Sequence, residues 1–204
     1  MTHRERFIKT LKCEKIGGQV PTFELVFFLT MEAFGKVHPS HRFYEQWNQM
    51  SYRERSLHMN EMAQLYIDTA KRYGHSAIFI HPNPGDVENI QWLLELIREK
   101  SGDEYYIMMH GDPTWAIPDG ENMMEFSARM FDEPEKLNEE SRIRVEQSLE
   151  LAAKLDEKGH LLDGFALCSD YCFNVNPFFS PDSFDELIGP FLKEVIAEYR
   201  KLGY

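Results

Sequence analysis

Residues 163–190, DGFALCSDYCFNVNPFFSPDSFDELIGP, decide the fold. Residues 164–170 (GFALCSD) are short and largely apolar, which predicts a buried strand. A polar loop follows, and Ser180-Pro181 then opens a helix: serine suits the N-cap, proline suits the first helical position, and Asp182 and Asp185 place negative charge in the first turn. The helix runs on through FLKEVIAEYRKLG. The whole is one βα unit with its polar groups at the C-terminal end of the strand. Alternation puts Ala166, Cys168 and Asp170 on one face and Phe165 and Leu167 on the other. Small residues facing inward and large ones facing helices suit a tightly curved parallel barrel with Asp170 at its mouth.

Working outward, the same unit repeats. Residues 3–13 form a short amphipathic helix ending at Gly17-Gly18, and PTFELVFF (21–28) reads as a first strand covered on both faces. Residues 29–50 read as a loop with helical turns. A helix from Ser51 to Gly74 leads to the strand AIFIHP (77–82), and a helix over 86–100 leads to YYIMMHGDP (105–113). On that third strand Tyr106, Met108, His110 and Asp112 share a face, and their size sits less well with a crowded barrel interior. Helical segments over 121–131 and 135–158 precede the fourth strand. Strands separated by helices on this scale imply right-handed crossovers and a parallel sheet. The chain reads as one domain over 1–204, the first four βα units of a (β/α)8 TIM-type barrel, and the pattern calls for a further strand after Tyr204.

Composition narrows the function. Among 204 residues 43% are hydrophobic, enough to bury a core, and the net charge of -12 argues against nucleic-acid or anionic-membrane partners. The opening MTHRERFIKTLKCEK is charged where a signal peptide is apolar, and no apolar run is long enough to cross a bilayer. Three cysteines do not make a disulfide framework, so a cytoplasmic location is expected.

Each strand ends in groups able to do chemistry. Glu24 lies inside the first strand, His81 and Asn83 follow the second, His110 and Asp112 the third, and Ser169, Asp170, Tyr171, Asn174 and Asn176 the fourth. In a parallel α/β architecture these ends form one rim, able to hydrogen-bond a polar heterocycle and to hold a proton donor near it. The same Asp and Asn residues also suit Asx-turns and helix caps with no ligand. Glu24 is harder to explain as structure, because a carboxylate in an apolar strand must be paired, protonated or facing a wet cavity. His38, His41, His58, His75 and His160 read as surface or turn residues. Cys168 and Cys172 are separated by a strand end, which works against their convergence on one ion, and no nucleophile triad or phosphate loop is present.

Several segments together resemble the uroporphyrinogen decarboxylase-like superfamily: RERFIKTLK (4–12), PTFEL (21–25), HRFYEQWNQMSYRER (41–55), GDPTWAIPDG (111–120) and, most specifically, DGFALCSDYCFNVNPFFSPDSFDELIGPFLKEV (163–195). The resemblance covers nearly the whole chain. It implies a (β/α)8 barrel of well over 300 residues, with this chain as its N-terminal half. Decarboxylases of the family carry an arginine-rich opening loop and an aspartate after an early strand; here the loop lacks those arginines, and AIFIHPNPG has His81 and Asn83 at the aspartate position. The methyltransferase branch, which uses methylcobalamin (a corrinoid) and tetrahydrofolate or a thiol, is the better match.

That branch implies Asp112, Asp170, Tyr171, Asn174, Asn176 and Asn83 as binding groups, with Glu24, His81, His110 and Asp170 in supporting or proton-handling roles. It also implies a small-molecule substrate and a possible corrinoid-protein partner. Zinc, used by thiol-methylating members through a His-X-Cys motif and a later cysteine, would enter only through residues beyond 204. The alternatives are a uroporphyrinogen decarboxylase acting on porphyrinogen acetate groups, and a truncated, non-catalytic half-barrel. Four strands without closure would leave an open edge, so a homodimer or a complementary half-barrel is the expected partner.

Overall fold

The computed structural model describes residues 1–25, 33–36 and 46–204. Among them the elements run α1 (His3–Leu11), a 3-10 turn (Trp47–Gln49), α2 (Tyr52–Tyr73), β1 (Ala77–Ile80), α3 (Val87–Ser101), β2 (Tyr106–His110), α4 (Met123–Asp132), α5 (Pro134–Glu157), β3 (Gly164–Ala166), α6 (Pro181–Leu187) and α7 (Gly189–Lys201). The strands form one sheet in the order β1-β2-β3. β1 and β2 are parallel, with Ala77 opposite Tyr106 and Ile80 opposite Met109. The result is a mixed α/β arrangement with a small parallel sheet, in which α3 carries the crossover from β1 to β2. The chain divides into two compact units, Met1–Met109 with Leu155–Gly164, and His110–Lys154 with Phe165–Tyr204.

In the first unit the helix boundaries follow from local chemistry. Ser51 caps α2 in a capping box with Glu54, and Gly74 ends it at φ 66°, in the left-handed region where a Cβ is disfavoured. Asp86 caps α3 by accepting from the Asn89 amide at 3.1 Å. The four residues of β1 are all buried, as a strand covered on both faces requires. Met59, Met62, Ala63 and Ile67 of α2 and Ile90, Leu94 and Ile97 of α3 complete the core.

One carboxylate ties this unit together. Asp163 accepts from Arg4 of α1 through Nε at 2.9 Å and Nη2 at 2.6 Å, from Arg98 of α3 at 2.7 Å, and from the Ile107 amide of β2 at 2.7 Å. Its own amide donates to the Ile107 carbonyl at 2.8 Å, and its carbonyl accepts from the Tyr106 hydroxyl at 2.9 Å. Burial and the neighbouring Asp163 charge push the Tyr106 phenol up to about 12, so it remains the donor.

The expected first strand is not formed over residues 21–25; residues 26–28 lie outside the described set, as do His38, His41 and residues 41–45 of the HRFYEQWNQ stretch. The reason is visible along β1. Thr22 accepts from the Ser76 amide at 2.7 Å, but the His81 amide is taken by the Tyr66 hydroxyl at 2.8 Å, and the His81 ring, through Nε2, lies 2.8 Å from the Leu25 carbonyl. Just past the end of β1 side chains thus take the His81 amide and the Leu25 carbonyl, two groups that a continued pairing would use. Phe23 still covers the sheet, with its ring 6.4 Å from Phe79.

In the second unit Phe165 stacks on Tyr199 at 4.3 Å, and with Leu167 packs against Ala152 of α5 and Val195 of α7. That is the expected placement of the large parity face against helices. Gly111 permits it, since a Cβ there would lie 2.5 Å from that of Phe165. The fourth strand is shorter than the expected 164–170. It stops at Ala166, because the Ser169 amide donates to the Asp112 side chain at 3.3 Å instead of to a neighbouring strand. Cys168 and Asp170 therefore lie beyond the strand, and the alternation expected to carry Asp170 to a barrel mouth ends before it. The final helix is also two helices. They break at Ile188 (φ -122°, ψ -56°), directly before Gly189-Pro190, where proline removes an amide donor and its ring crowds the preceding turn.

Asp163 gives the first test. Its side chain is 6% exposed and that of Arg98 is 14% exposed, so truncation strands a mostly buried guanidinium. Asp163→Ala is expected to cost about 3 kcal/mol, read as a lower urea midpoint; an unchanged midpoint would show that water replaces the carboxylate.

Candidate functional site

The second unit carries a buried polar cluster, built on Gly111-Asp112-Pro113-Thr114 immediately after β2 and on the loop after β3. Asp112 is 7% exposed, and all its acceptor directions are filled. Oδ1 takes the Thr114 amide at 2.9 Å and the Thr114 hydroxyl at 2.6 Å. Oδ2 takes the Tyr171 hydroxyl at 2.8 Å and the Ser169 amide at 3.3 Å. The Asp-Pro-Thr order explains the local half of this, since an aspartate bonding the amide two residues on is an Asx-turn.

The electrostatics follow. Burial opposes ionisation of Asp112, but the hydrogen bonds from Thr114, Tyr171 and Ser169 outweigh it and hold the carboxyl below its ordinary value. Tyr171 moves the other way, pushed up to about 12 chiefly by burial and further by the Asp112 charge, so it keeps its proton. Thr114 Oγ1 and Tyr171 Oη are 2.7 Å apart, closing a triangle of three oxygen contacts that holds only two hydroxyl protons. Each hydroxyl can donate to the carboxylate or to the other hydroxyl, so two protons are shared over three contacts. The two hydroxyl oxygens retain acceptor capacity, whereas Asp112 has none left for a ligand.

Around the triangle, Arg144 lies over the Trp115 ring at 4.3 Å, and its buried Nη1 has no hydrogen-bond partner among the described residues. Burial lowers its pKa while the Asp112 and Glu140 charges raise it. The Cys168 thiol is pushed up by burial and by the charges of Asp112 and Asp170, the reverse of what a nucleophile or metal ligand needs. Among the described residues no three His, Cys, Asp or Glu side chains come together as a metal site.

Beyond the triangle the loop turns back on itself. Phe173 donates to the Asn176 carbonyl at 2.8 Å and Phe178 to that of Tyr171 at 3.0 Å, which leaves Asn174 and Asn176 exposed at the turn. The Asp170 side chain is exposed, and its carbonyl accepts from Ile117 at 2.8 Å. Next to Tyr171 lies a cavity of about 350 Å³ walled by Pro177, Phe179, Pro181 and Phe184, with Asp185 at its edge.

Of the residues expected to form a site, the structure joins Asp112 and Tyr171 directly. His110, the last residue of β2, is exposed. Glu24, His81 and Asn83 belong to the first unit, where the carboxylate oxygens of Glu24 are shielded from solvent and border a small cavity with Tyr66, Thr69 and His75. Thr114 and Arg144 were not foreseen. The Asp-Pro-Thr spacing signals Thr114; nothing in the helical run around Arg144 marks it.

No family model matches this chain, and no curated protein does. A solved structure does. A methyltransferase from Methanosarcina mazei superposes with a TM-score of 0.66 at 18% identity, over 98% of this chain and 67% of that one. At this identity the likeness shows a shared fold.

Asp112 supplies a pH test. Its folded pKa is below the ordinary 3.8, so the unfolded chain binds the proton more readily. The stabilisation is fully present above that ordinary value and is lost as pH falls through the folded one. Asp112→Asn, which sets an amide donor against hydroxyl and amide donors, should lose about 1–3 kcal/mol at neutral pH, and the gap from the parent should narrow in urea titrations at about pH 3. A gap independent of pH would contradict a folded carboxylate.

Proposed function

We propose that this chain forms part of the catalytic body of a methyltransferase of the uroporphyrinogen decarboxylase-like superfamily, a (β/α)8 barrel that moves a methyl group between a corrinoid and a small acceptor such as tetrahydrofolate. The observation that carries this reading is the fold likeness to a methyltransferase over 98% of the chain. The residues of the second unit add chemical support.

The cavity beside Tyr171 fits a pterin. Its aromatic and prolyl walls suit a flat heterocycle, and the Asp185 carboxylate suits the adjacent N–H groups of an aminopyrimidine edge. A corrin ring with its side chains is far larger than about 350 Å³, so it would be presented from outside, by a corrinoid protein. The prolyl and aromatic walls of this cavity, with a carboxylate beside them, favour the folate acceptor over a small thiol. A methylated corrinoid supplies an electrophilic methyl group to the acceptor nitrogen.

The chain's own residues supply placement. Asp112 spends its charge on holding Tyr171, so the phenol meets the heterocycle in one orientation, and fixed orientation can lower a bimolecular barrier substantially. Asp170, Asn174 and Asn176 are exposed and available to the polar parts of the substrate. His110, exposed at the end of β2, is available to carry a proton. The same reading gives Glu24, His81 and Asn83 supporting roles.

The complete protein, mixed with methylcobalamin and tetrahydrofolate, should convert the methylcobalamin spectrum and yield methyltetrahydrofolate. Asp185→Asn should raise the folate KM about tenfold or more, as expected for a lost charge-assisted hydrogen bond. Failure to bind either compound, together with tight porphyrinogen binding, would replace this reading with decarboxylation.

A further inference from the structure

Helix α4 has two apolar faces and buries only one. Phe126 is buried and Met130 packs against the same cluster. On the opposite side Met124 is 86% exposed and Phe131 is 82% exposed, with exposed Ala128 between them. Positions i, i+4 and i+7 fall on one helix face, so these three form a continuous stripe. An amphipathic surface helix carries polar residues there. Two large apolar side chains aligned in that position mark an interaction surface more than chance exposure of single residues does.

The chemistry beside the stripe selects the partner. A groove of about 570 Å³ between α4 and α5 is lined by Glu125, Asp132, Glu133 and Glu140 against Arg129 and Lys136, with Ala128 common to groove and stripe. Both cations are already engaged, Arg129 with Glu140 at 2.7 Å and Lys136 with Glu133 at 3.2 Å. Glu125 and Asp132 have no ion-pair partner among the described residues. A second cavity of about 370 Å³, sharing Glu125 and Arg129 with the groove, has Trp115, Ile117 and Phe126 in its wall and can accept a side chain.

We propose that α4 is a docking surface for a second protein that presents an apolar helix face flanked by lysine or arginine. The apolar face covers Met124 and Phe131, and the flanking cations meet Glu125 and Asp132. Charge disfavours the other occupants. A second copy of a chain with net charge -12 brings further acidic surface, and an anionic membrane is repelled by the groove. This inference does not depend on the methyl-transfer reading.

The test uses the complete protein and a fluorescent amphipathic helical peptide of leucine and lysine, with a leucine-glutamate peptide as its counterpart, read by anisotropy. The lysine peptide should bind, more weakly as salt rises, and the glutamate peptide should not. Phe131→Ser and Glu125→Lys should each weaken binding about tenfold. Glu146→Lys makes the same charge change on the exposed side of α5, outside the groove, and should leave binding within about twofold. All three side chains are exposed, so the variants retain the fold. The proposal is overturned if Glu146→Lys weakens binding as much as Glu125→Lys, if Phe131→Ser has no effect, or if the protein alone sediments as a dimer that Phe131→Ser dissociates. The last result would make a second copy the occupant.

Discussion

The Asp163 carboxylate is the interaction on which the first unit depends. It receives a guanidinium from α1, another from α3 and a backbone amide from β2. Two arginine side chains meet there only because a negative charge separates them; without it they would repel across a poorly hydrated space. The cluster does what a longer sheet would otherwise do. It fixes the start of β3 against β2 through a side chain, so that three residues of strand suffice.

Asp112 plays the corresponding part in the second unit, with a different consequence. Amides beyond the end of a short strand must find acceptors, and where water is excluded a carboxylate is the strongest one available. Asp112 takes two such amides, those of Thr114 and Ser169. In doing so it ends β3 early and draws the loop after β3 toward the end of β2. The strand is short because the loop is held, and the holding is what orients Tyr171. A longer β3 would consume the Ser169 amide in a ladder and release the loop.

Local features were legible in the sequence and long-range ones were not. The helix start at Ser51, the αL glycine at 74 and the Ser180-Pro181 helix start are all set by neighbours within four residues, and the structure has each where the sequence puts it. The helix break at Gly189-Pro190 was written there too, and periodicity alone overrides it only on paper. Strand lengths depend on which distant side chain claims an amide. Ser169 meets Asp112 across 57 positions, and Asp163 meets Arg4 across 159. Asp163 opens the stretch that decides the fold, yet no spacing rule connects it to an arginine in α1. At the site, Asp112 and Tyr171 stood out as polar groups at strand ends, but their mutual bond depends on how the loops close. Arg144 looks like any other charged residue of α5 until Trp115 is placed beneath it.

The polar residues after β3 fall into two physical classes, and the distinction bears on what each can contribute. Tyr171 is fixed before any ligand arrives, so its contact with a bound ring costs little further ordering. Asn174 and Asn176 are exposed at a turn, and using them means immobilising side chains that water already satisfies. On the reading proposed above, discrimination between ligands would rest on the held phenol and the aromatic wall beside it, because a misfit there cannot be relieved by rotation. The asparagines can add affinity to whatever that wall admits. Because the Asn174 and Asn176 side chains make no bond to the Asp112 triangle, replacing them would alter the polar contacts of the turn without disturbing the triangle, and on the proposed reading that separates the choice of substrate periphery from the geometry of the site.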